Sequence, residues 1–220
     1  MKRVLIATPC LDGRVEAYYV NSLYESVKLG LQHDIMLQPV FLAYESILPM
    51  ARNELIALCY KENYDAMVFI DDDESWPCQG LINILLSEKD VISLPVVNKG
   101  DDKIQYNVFF DDNTQKDTLD GYISVDTVGT GFLKLSRRVV VDLYNNEEDS
   151  LFRGKILKNV CEYRNQDNKF VGEDITLCRK IKNLNYAIWV DPTYTVEHIG
   201  SKKFRGDFAR YISLNKGLYQ

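Results

Sequence analysis

The chain has 220 residues, of which 46% are apolar and 26% are charged, values typical of one soluble globular domain. Its net charge is −6 and it has no basic stretch, which argues against a general nucleic-acid-binding protein. The 12 glycines and 6 prolines follow no period, so a collagen-like or low-complexity chain is excluded.

The cysteines and the apolar runs indicate the compartment. The five cysteines are odd in number and include no C-x-x-C pair, so we expect neither a disulfide framework nor a zinc ribbon. The apolar run at residues 4–7 is too short for a signal peptide, and no later run reaches the ~18 residues that a membrane span needs. We therefore expect a soluble protein of the cytoplasm, or of the host cytoplasm if the protein is viral, without a transmembrane segment.

The first half of the chain alternates strand and helix patterns, which indicates βαβ crossovers and a mostly parallel sheet. Pro39 falls inside the second predicted strand and indicates an edge position or a bulge. In sheets of this kind, ligands bind beyond the carboxyl ends of the strands. In chain order, the predicted elements are a strand at residues 3–8, a helix at 15–30, a strand at 35–42, a helix at 50–62, a strand at 66–70, a helix at 77–86 and a strand at 91–94.

The second half has a different pattern, with strands that suggest hairpins added to the parallel sheet. Residues 145–168 are polar and without a clear period, and we expect a loop there. The predicted fold class is α/β, with a mixed, mostly parallel sheet, helices on both faces and an added β-hairpin region. The predicted elements are strands at residues 106–110, 122–128 and 131–136, helices at 137–144 and 172–183, a strand at 188–190 and a terminal helix at 208–216.

The strongest local feature is the acidic run that follows the predicted strand at residues 66–70. In an extended segment, Asp71 and Asp73 would lie on one face, where two carboxylates repel each other unless a cation is near. Oxygen ligands suit Mg²⁺ or Mn²⁺, which in turn bind diphosphates. The alternative is a solvated acidic turn before the next helix.

Two further features contain residues with catalytic or ligand chemistry. Glu173 and Asp174 follow a glycine and begin a predicted helix, where they suit either the helix dipole or a general base. His198, one of two histidines, follows a β-type run and suits either a structural imidazole or a Mn²⁺ ligand.

Several other positions fall at the same predicted sheet edge or in nearby loops, where they suit a nucleotide or sugar ligand. For Arg52 the alternative is a capping or surface role, for Gly131 a hairpin turn, and for Lys202 a solvated side chain. The chain has no P-loop, no G-x-G-x-x-G after its first strand and no G-x-S-x-G, which argues against ATPase, dinucleotide-binding and α/β-hydrolase functions. The positions are Thr8, Pro9, Cys10, Arg52, Gly131 and Lys202.

The order of these features resembles the GT-A class of nucleotide-sugar glycosyltransferases over residues 3–200. The likeness is greatest to family-2-like members and to small members encoded by viruses or phages. It rests on an ordered set of motifs: Ala-Thr-Pro at residues 7–9, Ala-Arg-Asn at 51–53, Phe-Ile-Asp-Asp-Asp at 69–73, Gly-Thr-Gly-Phe at 129–132, Gly-Glu-Asp at 172–174 and His-Ile-Gly at 198–200.

The resemblance implies the GT-A fold and one catalytic domain over residues 1–220. Residues 1–100 would form its nucleotide-binding half and residues 101–220 its acceptor-side half. The chain ends soon after its last motif, which would also suit a domain excised from a larger enzyme.

The resemblance also implies roles for the residues. Asp71, Asp73 and His198 would hold Mn²⁺ or Mg²⁺, and Asp174 would be the catalytic base, with Glu173 as the second choice. Trp76 departs from the small or apolar residue expected after the acids, which bears on the local shape. The residues implied in binding the nucleotide and the donor are Thr8, Pro9, Cys10, Arg52, Asp71, Asp72, Gly131 and Lys202.

The activity implied is metal-dependent transfer of a sugar, with inversion, from a nucleotide-diphosphate donor to an acceptor hydroxyl. UDP is the expected nucleotide, and a glycan the expected acceptor. Two alternatives stay open: a sugar-phosphate nucleotidyltransferase, and a nucleotide-sugar-binding module without catalysis. The first would need a glycine- and lysine-rich loop after the first strand, whereas residues 10–15 contain one glycine and one arginine.

Overall fold

The computed structural model describes residues 1–100, 103–110, 118–166 and 168–214. In these ranges the helices are α1 (Ala17–Gln32), α2 (Leu48–Lys61), α3 (Cys78–Leu86), α4 (Arg137–Asn146), α5 (Glu173–Asn183) and α6 (Phe208–Leu214). The strands are β1 (Lys2–Cys10), β2 (Ile35–Ala43), β3 (Ala66–Ile70), β4 (Glu74–Ser75), β5 (Val91–Ser93), β6 (Val108–Phe109), β7 (Thr118–Leu119), β8 (Tyr122–Val125), β9 (Thr127–Val128), β10 (Phe132–Ser136), β11 (Asp149–Phe152), β12 (Lys155–Lys158), β13 (Arg164–Gln166), β14 (Lys169–Val171), β15 (Ile188–Val190), β16 (Glu197–Ile199) and β17 (Lys203–Phe204).

The main sheet is mixed and has the strand order β2-β1-β3-β10-β5-β15-β8-β7 within the described ranges. Strand β1 is parallel to β2 and β3, and β15 is parallel to β5, whereas β10 runs antiparallel between β3 and β5. The α/β class predicted from the sequence is confirmed. Pro39 lies in β2, the strand at one edge of the main sheet in the described ranges. An edge strand tolerates a proline, which has no N–H group to donate to a neighbouring strand.

Helices cover both faces of this sheet because the side chains of its central strands alternate between two buried cores. Leu5 of β1 lies in one core, which also takes apolar residues of α2, α4, α5 and α6. Ile6 points the other way, into a core shared with α1 and α3. All five residues of β3 are buried, which explains its continuous apolar sequence.

The topology brings several chain segments to one edge of the sheet. The parallel strands β1 and β3 end there, at Cys10 and Ile70. Strand β10 runs in the opposite direction and therefore begins at this edge, with Phe132 paired to Ile70. The residues that follow β1 and β3 and those that precede β10 consequently lie close together.

A small three-stranded sheet, β17-β16-β4, completes this edge. The pairing of β16 with β4 sets His198 opposite Glu74, and the Ile199 N–H donates to the Asp73 carbonyl at 2.7 Å. The sequence placed His198 beyond a strand, whereas the structure places it inside β16.

Three predictions of local structure need correction or lie outside the described residues. The described part of residues 145–168 is not a loop but contains β11, β12 and β13, which are short and mostly exposed and therefore lack a strong apolar period. Residues 72–73 form a turn between β3 and β4, so the acidic run is not extended. Residues 111–117 of the polar excursion, and residues 215–216 of the terminal helix, lie outside the described ranges.

Trp76 is buried beneath the acidic turn and fills space between α1 and the sheet. Its indole N–H donates to Ser26 at 3.0 Å, and its ring meets those of Tyr19 and Phe132 edge-on. The bulky residue after the acids therefore has a packing role.

Among the described residues, the helices are all too short or too polar to cross a membrane.

Candidate active site

The acidic turn is held against the residues that precede β10. The Asp71 N–H donates to the Gly131 carbonyl at 3.0 Å. A Cβ on Gly131 would lie 2.3 Å from Glu74 Oε1 and 3.2 Å from Asp71 Oδ2, distances that only glycine avoids. Gly131 is therefore needed for the close approach of the two carboxylates to the backbone, rather than for a hairpin turn.

Arg52 links this turn to the start of α5. Its guanidinium is 1% exposed and donates to Asp71 Oδ1 at 3.0 Å and to the Thr130 carbonyl at 3.3 Å. Its Nε lies 3.6 Å from Glu173 Oε1. Burial lowers the pKa of Arg52, but the two carboxylates more than offset this and raise it above its usual value, so the side chain is a buried cation between two acids.

The two ring nitrogens of His198 face different groups: Nδ1 faces the backbone of Val97, and Nε2 faces Asp73. Nδ1 lies 3.0 Å from the Val97 carbonyl, which can only accept, so Nδ1 carries a proton. Nε2 lies 3.2 Å from Asp73 Oδ1. An imidazolium ring donates from Nε2 to this carboxylate, whereas a neutral ring with its proton on Nδ1 offers Nε2 as a ligand to a cation between the two groups.

Lys99, from the loop after β5, contacts the second oxygen of Asp73. Burial raises the pKa of Asp73, but the bonds from His198 and Lys99 outweigh it and bring that pKa below its usual value. Sequence reasoning missed Lys99, since nothing in the residues around it marks it as part of this cluster.

The neighbouring acids are crowded. Burial raises the pKa of Asp72 to about 6, with further contributions from Asp73 and Asp71. Glu74 is 1% exposed, and burial together with the same two neighbours raises its pKa well above the usual value. Glu74 Oε2 has no hydrogen-bond partner within the described part of the chain. Burial and crowding therefore favour the protonated forms of Asp72 and Glu74, and a cation bound at the turn would oppose this shift.

A cavity of about 290 Å³ opens onto these groups. It runs from the end of β1 to the acidic turn and to His198, so Asp73 and His198 share one space. Its lining residues are Pro9, Cys10, Leu11, Glu45, Ser46, Leu48, Asp71, Asp72, Asp73 and His198. A larger cavity of about 560 Å³ lies elsewhere, along Ser75, Trp76 and Glu197, and does not include the acidic turn.

Four of the residues predicted to bind the donor, Gly131 and three side chains, do not line this cavity. Thr8 is fully buried and hydrogen-bonded to the Tyr19 hydroxyl. Arg52 is buried behind Asp71, as described above. Lys202 is exposed, with its ammonium 5.2 Å from the centre of the Phe204 ring. A direct role for these three side chains in donor binding stays a prediction, and for Thr8 and Arg52 the burial does not favour it.

Glu173 and Asp174 differ in their surroundings although they are adjacent. Glu173 points towards Arg52, and burial raises its pKa while Arg52 opposes the shift. Asp174 is half-buried at the first turn of α5, where its Oδ1 accepts from the Ile175 N–H at 2.7 Å. Glu173 is thus tied through Arg52 to Asp71, and Asp174 is the more accessible of the two.

Comparisons with known proteins identify the fold. No protein-family model and no curated protein matches the chain. A solved structure of A197 from STIV superposes with a TM-score of 0.55 at 16% identity, covering 91% of this chain and 87% of that chain. This likeness shows the fold. The chain has the GT-A fold.

Two further solved structures align at lower TM-scores. GalNAc-T7 with UDP, GalNAc and Mn²⁺ gives a TM-score of 0.48 at 10% identity, covering 97% of this chain and 48% of that chain. S. aureus TarS, residues 1–349, in complex with UDP-GlcNAc, gives 0.48 at 14% identity, covering 95% of this chain and 61% of that chain. This chain thus covers less than two thirds of the length of each of these two proteins.

The carboxylate and imidazole groups of the site are of the kind that bind a divalent cation, although the described side chains do not form a complete metal site. No group of three or more His, Cys, Asp or Glu side chains in the described ranges is arranged to hold a metal ion. The site instead offers the Asp73–His198 pair and a crowded set of carboxylates. Mg²⁺ is commonly held by only one or two protein carboxylates, with ligands from outside the protein completing its coordination, so a partial set of this kind is compatible with it.

Proposed function

We propose that this protein is a metal-dependent glycosyltransferase that moves a sugar, with inversion, from a UDP-sugar to an acceptor hydroxyl. The observation that carries the proposal is the shared cavity, in which the end of β1, the acidic turn and His198 meet. Glu173, the first residue of α5, is connected to the same turn through Arg52, and Asp174 follows it. UDP as the nucleotide follows from the resemblance seen in the sequence.

In this proposal the nucleoside lies along the first part of the cavity, beside Pro9 and Cys10. The diphosphate extends towards Asp73 and His198, which would hold Mn²⁺ or Mg²⁺ together with Asp71. The bound cation supplies Lewis-acid stabilisation of the charge that develops on the leaving nucleoside diphosphate. Of these two ions, Mn²⁺ accepts an imidazole ligand more readily than Mg²⁺ does.

The chain's own residues then have two tasks at the sugar. Asp174, with Glu173 as the alternative, accepts the proton of the acceptor hydroxyl. The oxygen of that hydroxyl forms a bond to the anomeric carbon of the donor sugar. The bond from that carbon to the diphosphate oxygen breaks, and the electron pair leaves with the nucleoside diphosphate. Arg52 keeps Asp71 and Glu173 at fixed positions, which restricts the motion of the donor relative to the base.

The test is a thermal-shift experiment with UDP and with UDP-sugars, each with and without Mn²⁺. A ligand at a hundredfold excess over its Kd should stabilise the fold by about 2.7 kcal/mol. We expect the shift to require Mn²⁺ and to be lost in Asp73→Asn. Asp120→Asn is the matched control, because Asp120 is exposed and its partner is Lys89, far along the sheet from the acidic turn.

Transfer is measured separately, as UDP release that depends on an added acceptor. Donor binding without any UDP release over long incubation would instead indicate a binding module. Pyrophosphate release from UTP and a sugar 1-phosphate would indicate a nucleotidyltransferase. Absence of any UDP-dependent or UDP-sugar-dependent shift would contradict the proposal.

A further inference from the structure

The hairpin β13–β14 leads directly into α5 and has two different faces. The pairing of Arg164 with Val171 places these residues on one face, together with Gln166. This inner face is held to the protein at Val171, which is buried, and at Gln166, which accepts from Arg179 of α5 at 2.7 Å, while Arg164 and Lys169 are exposed. The opposite face therefore points away from α5.

That outer face carries Tyr163, Asn165 and Phe170, which we call the aromatic face. Asn165 is paired with Phe170. Tyr163 precedes β13, and its ring lies against the ring of Phe170. The two ring centroids are 5.2 Å apart. Phe170 is 75% exposed and Tyr163 is 47% exposed, so the rings are available to a ligand.

The aromatic face lies beside the two acids at the start of α5. Gly172, which follows β14, is followed in turn by Glu173 and Asp174. Burial and the Glu173 carboxylate raise the pKa of the Tyr163 phenol, Arg52 opposes the shift, and Asp174 adds a smaller rise. A molecule resting on the two rings would therefore extend to the candidate base.

We propose that Tyr163, Asn165 and Phe170 form an acceptor-binding subsite for a pyranose ring of a glycan. The inference rests on the proposed function, since it assigns the acceptor side of the same site. One face of a pyranose is made of C–H groups, which pack on aromatic rings, and its edge carries hydroxyls that an amide can bind.

The charges around the hairpin favour a neutral sugar over a lipid surface. Binding to an anionic membrane would need basic side chains on the same side as the exposed rings. The basic residues of this hairpin, Arg164 and Lys169, lie on the other face by register, and Arg164 is paired with Glu162. The described outer face carries two rings and an amide and no charged side chain.

The experiment measures acceptor binding without turnover. Saturation-transfer difference NMR is recorded with methyl glycosides of glucose, galactose, mannose and N-acetylglucosamine, with and without UDP and Mn²⁺. We expect at least one glycoside to bind the wild type, and Phe170→Ala to weaken it about tenfold. Tyr163→Ala and Asn165→Ala are expected to weaken it as well. Leu151→Ala is the matched control, because Leu151 is equally exposed, at 76%, on the separate hairpin β11–β12.

Two results would overturn the assignment: none of the glycosides binds the wild type under either condition, or Phe170→Ala binds as tightly as Leu151→Ala. Binding to phosphatidylglycerol vesicles that is lost in Phe170→Ala, with no glycoside binding, would assign the face to a membrane instead. The UDP thermal shift of Phe170→Ala is recorded in parallel. If the wild type binds a glycoside but shows no UDP thermal shift, the result contradicts the proposed function and still supports the sugar subsite.

Discussion

At the scale of single residues, Asp73 is the group on which the candidate site depends most. One of its oxygens faces His198 and the other contacts Lys99. The Lys99 ammonium thus neutralises the same carboxylate that the proposed function assigns to a divalent cation. The two cations compete for one negative charge, and this competition can be measured directly.

Lys99→Met is expected to tighten Mn²⁺ binding in the absence of nucleotide, by about tenfold, because no ammonium has to be displaced from Asp73. Binding is followed by the loss of the free Mn²⁺ signal in electron paramagnetic resonance. Lys28→Met is the control, since Lys28 is exposed and pairs with Glu25 on α1. Equal or weaker Mn²⁺ binding in Lys99→Met would contradict the competition.

Asp174→Asn is expected to lower kcat by roughly 10²–10⁴-fold, the usual contribution of a general base. The UDP thermal shift of this variant should stay unchanged, because Asp174 does not line the cavity assigned to the nucleotide. Glu173→Gln tests the alternative, since Glu173 faces Arg52. A large loss of kcat in Glu173→Gln, with normal kcat in Asp174→Asn, would transfer the role of base to Glu173.

At the scale of elements, the acidic turn depends on the glycine that precedes β10. Gly131→Ala is expected to cost about 1–3 kcal/mol of stability, because its Cβ would overlap Glu74 Oε1, whose carboxyl is buried and cannot move into solvent. The free energy of unfolding is measured by urea denaturation. Gly100→Ala is the matched control, as no atom lies within 4 Å of its Cβ position, and a similar loss there would contradict the argument.

The elements that the sequence predicts best are those whose pattern follows from burial. Strand β3 is found at residues 66–70 as predicted, because all of its side chains are buried and apolar. Strands β13 and β14 were missed because they are short and polar and are held by backbone pairing. The Asp73–His198 approach was predicted only through the resemblance, and the Lys99 contact depends on a loop path that local sequence does not specify.

At the scale of the whole molecule, the two predicted halves share one sheet. Strand β10 of the second half lies between β3 and β5 of the first, and Arg52 connects α2 to Glu173 of α5. The sheet therefore has to bury polar groups where segments of both halves meet. Lys134 is the clearest example: it lies on β10, is 2% exposed, and donates to the carbonyls of Ser87 and Lys89.

The stability of the whole molecule should carry a pH signature from this lysine. Burial, aided by the nearby charge of Lys2, lowers the pKa of Lys134 from 10.5 to about 8, so between these values the unfolded chain binds more protons than the folded chain. Stability from this group therefore rises with pH across that window, and the cost of burying the charge is fully present below it. Urea denaturation of the wild type and of Lys134→Met should show a free-energy difference that moves in favour of the wild type as the pH is raised from below 8 towards 10.5. Titrating groups that do not interact with Lys134 contribute equally to both proteins and cancel in the difference, whereas Lys2 and Asp90 are coupled to it. A difference that does not vary with pH would mean that burial does not lower the pKa of Lys134.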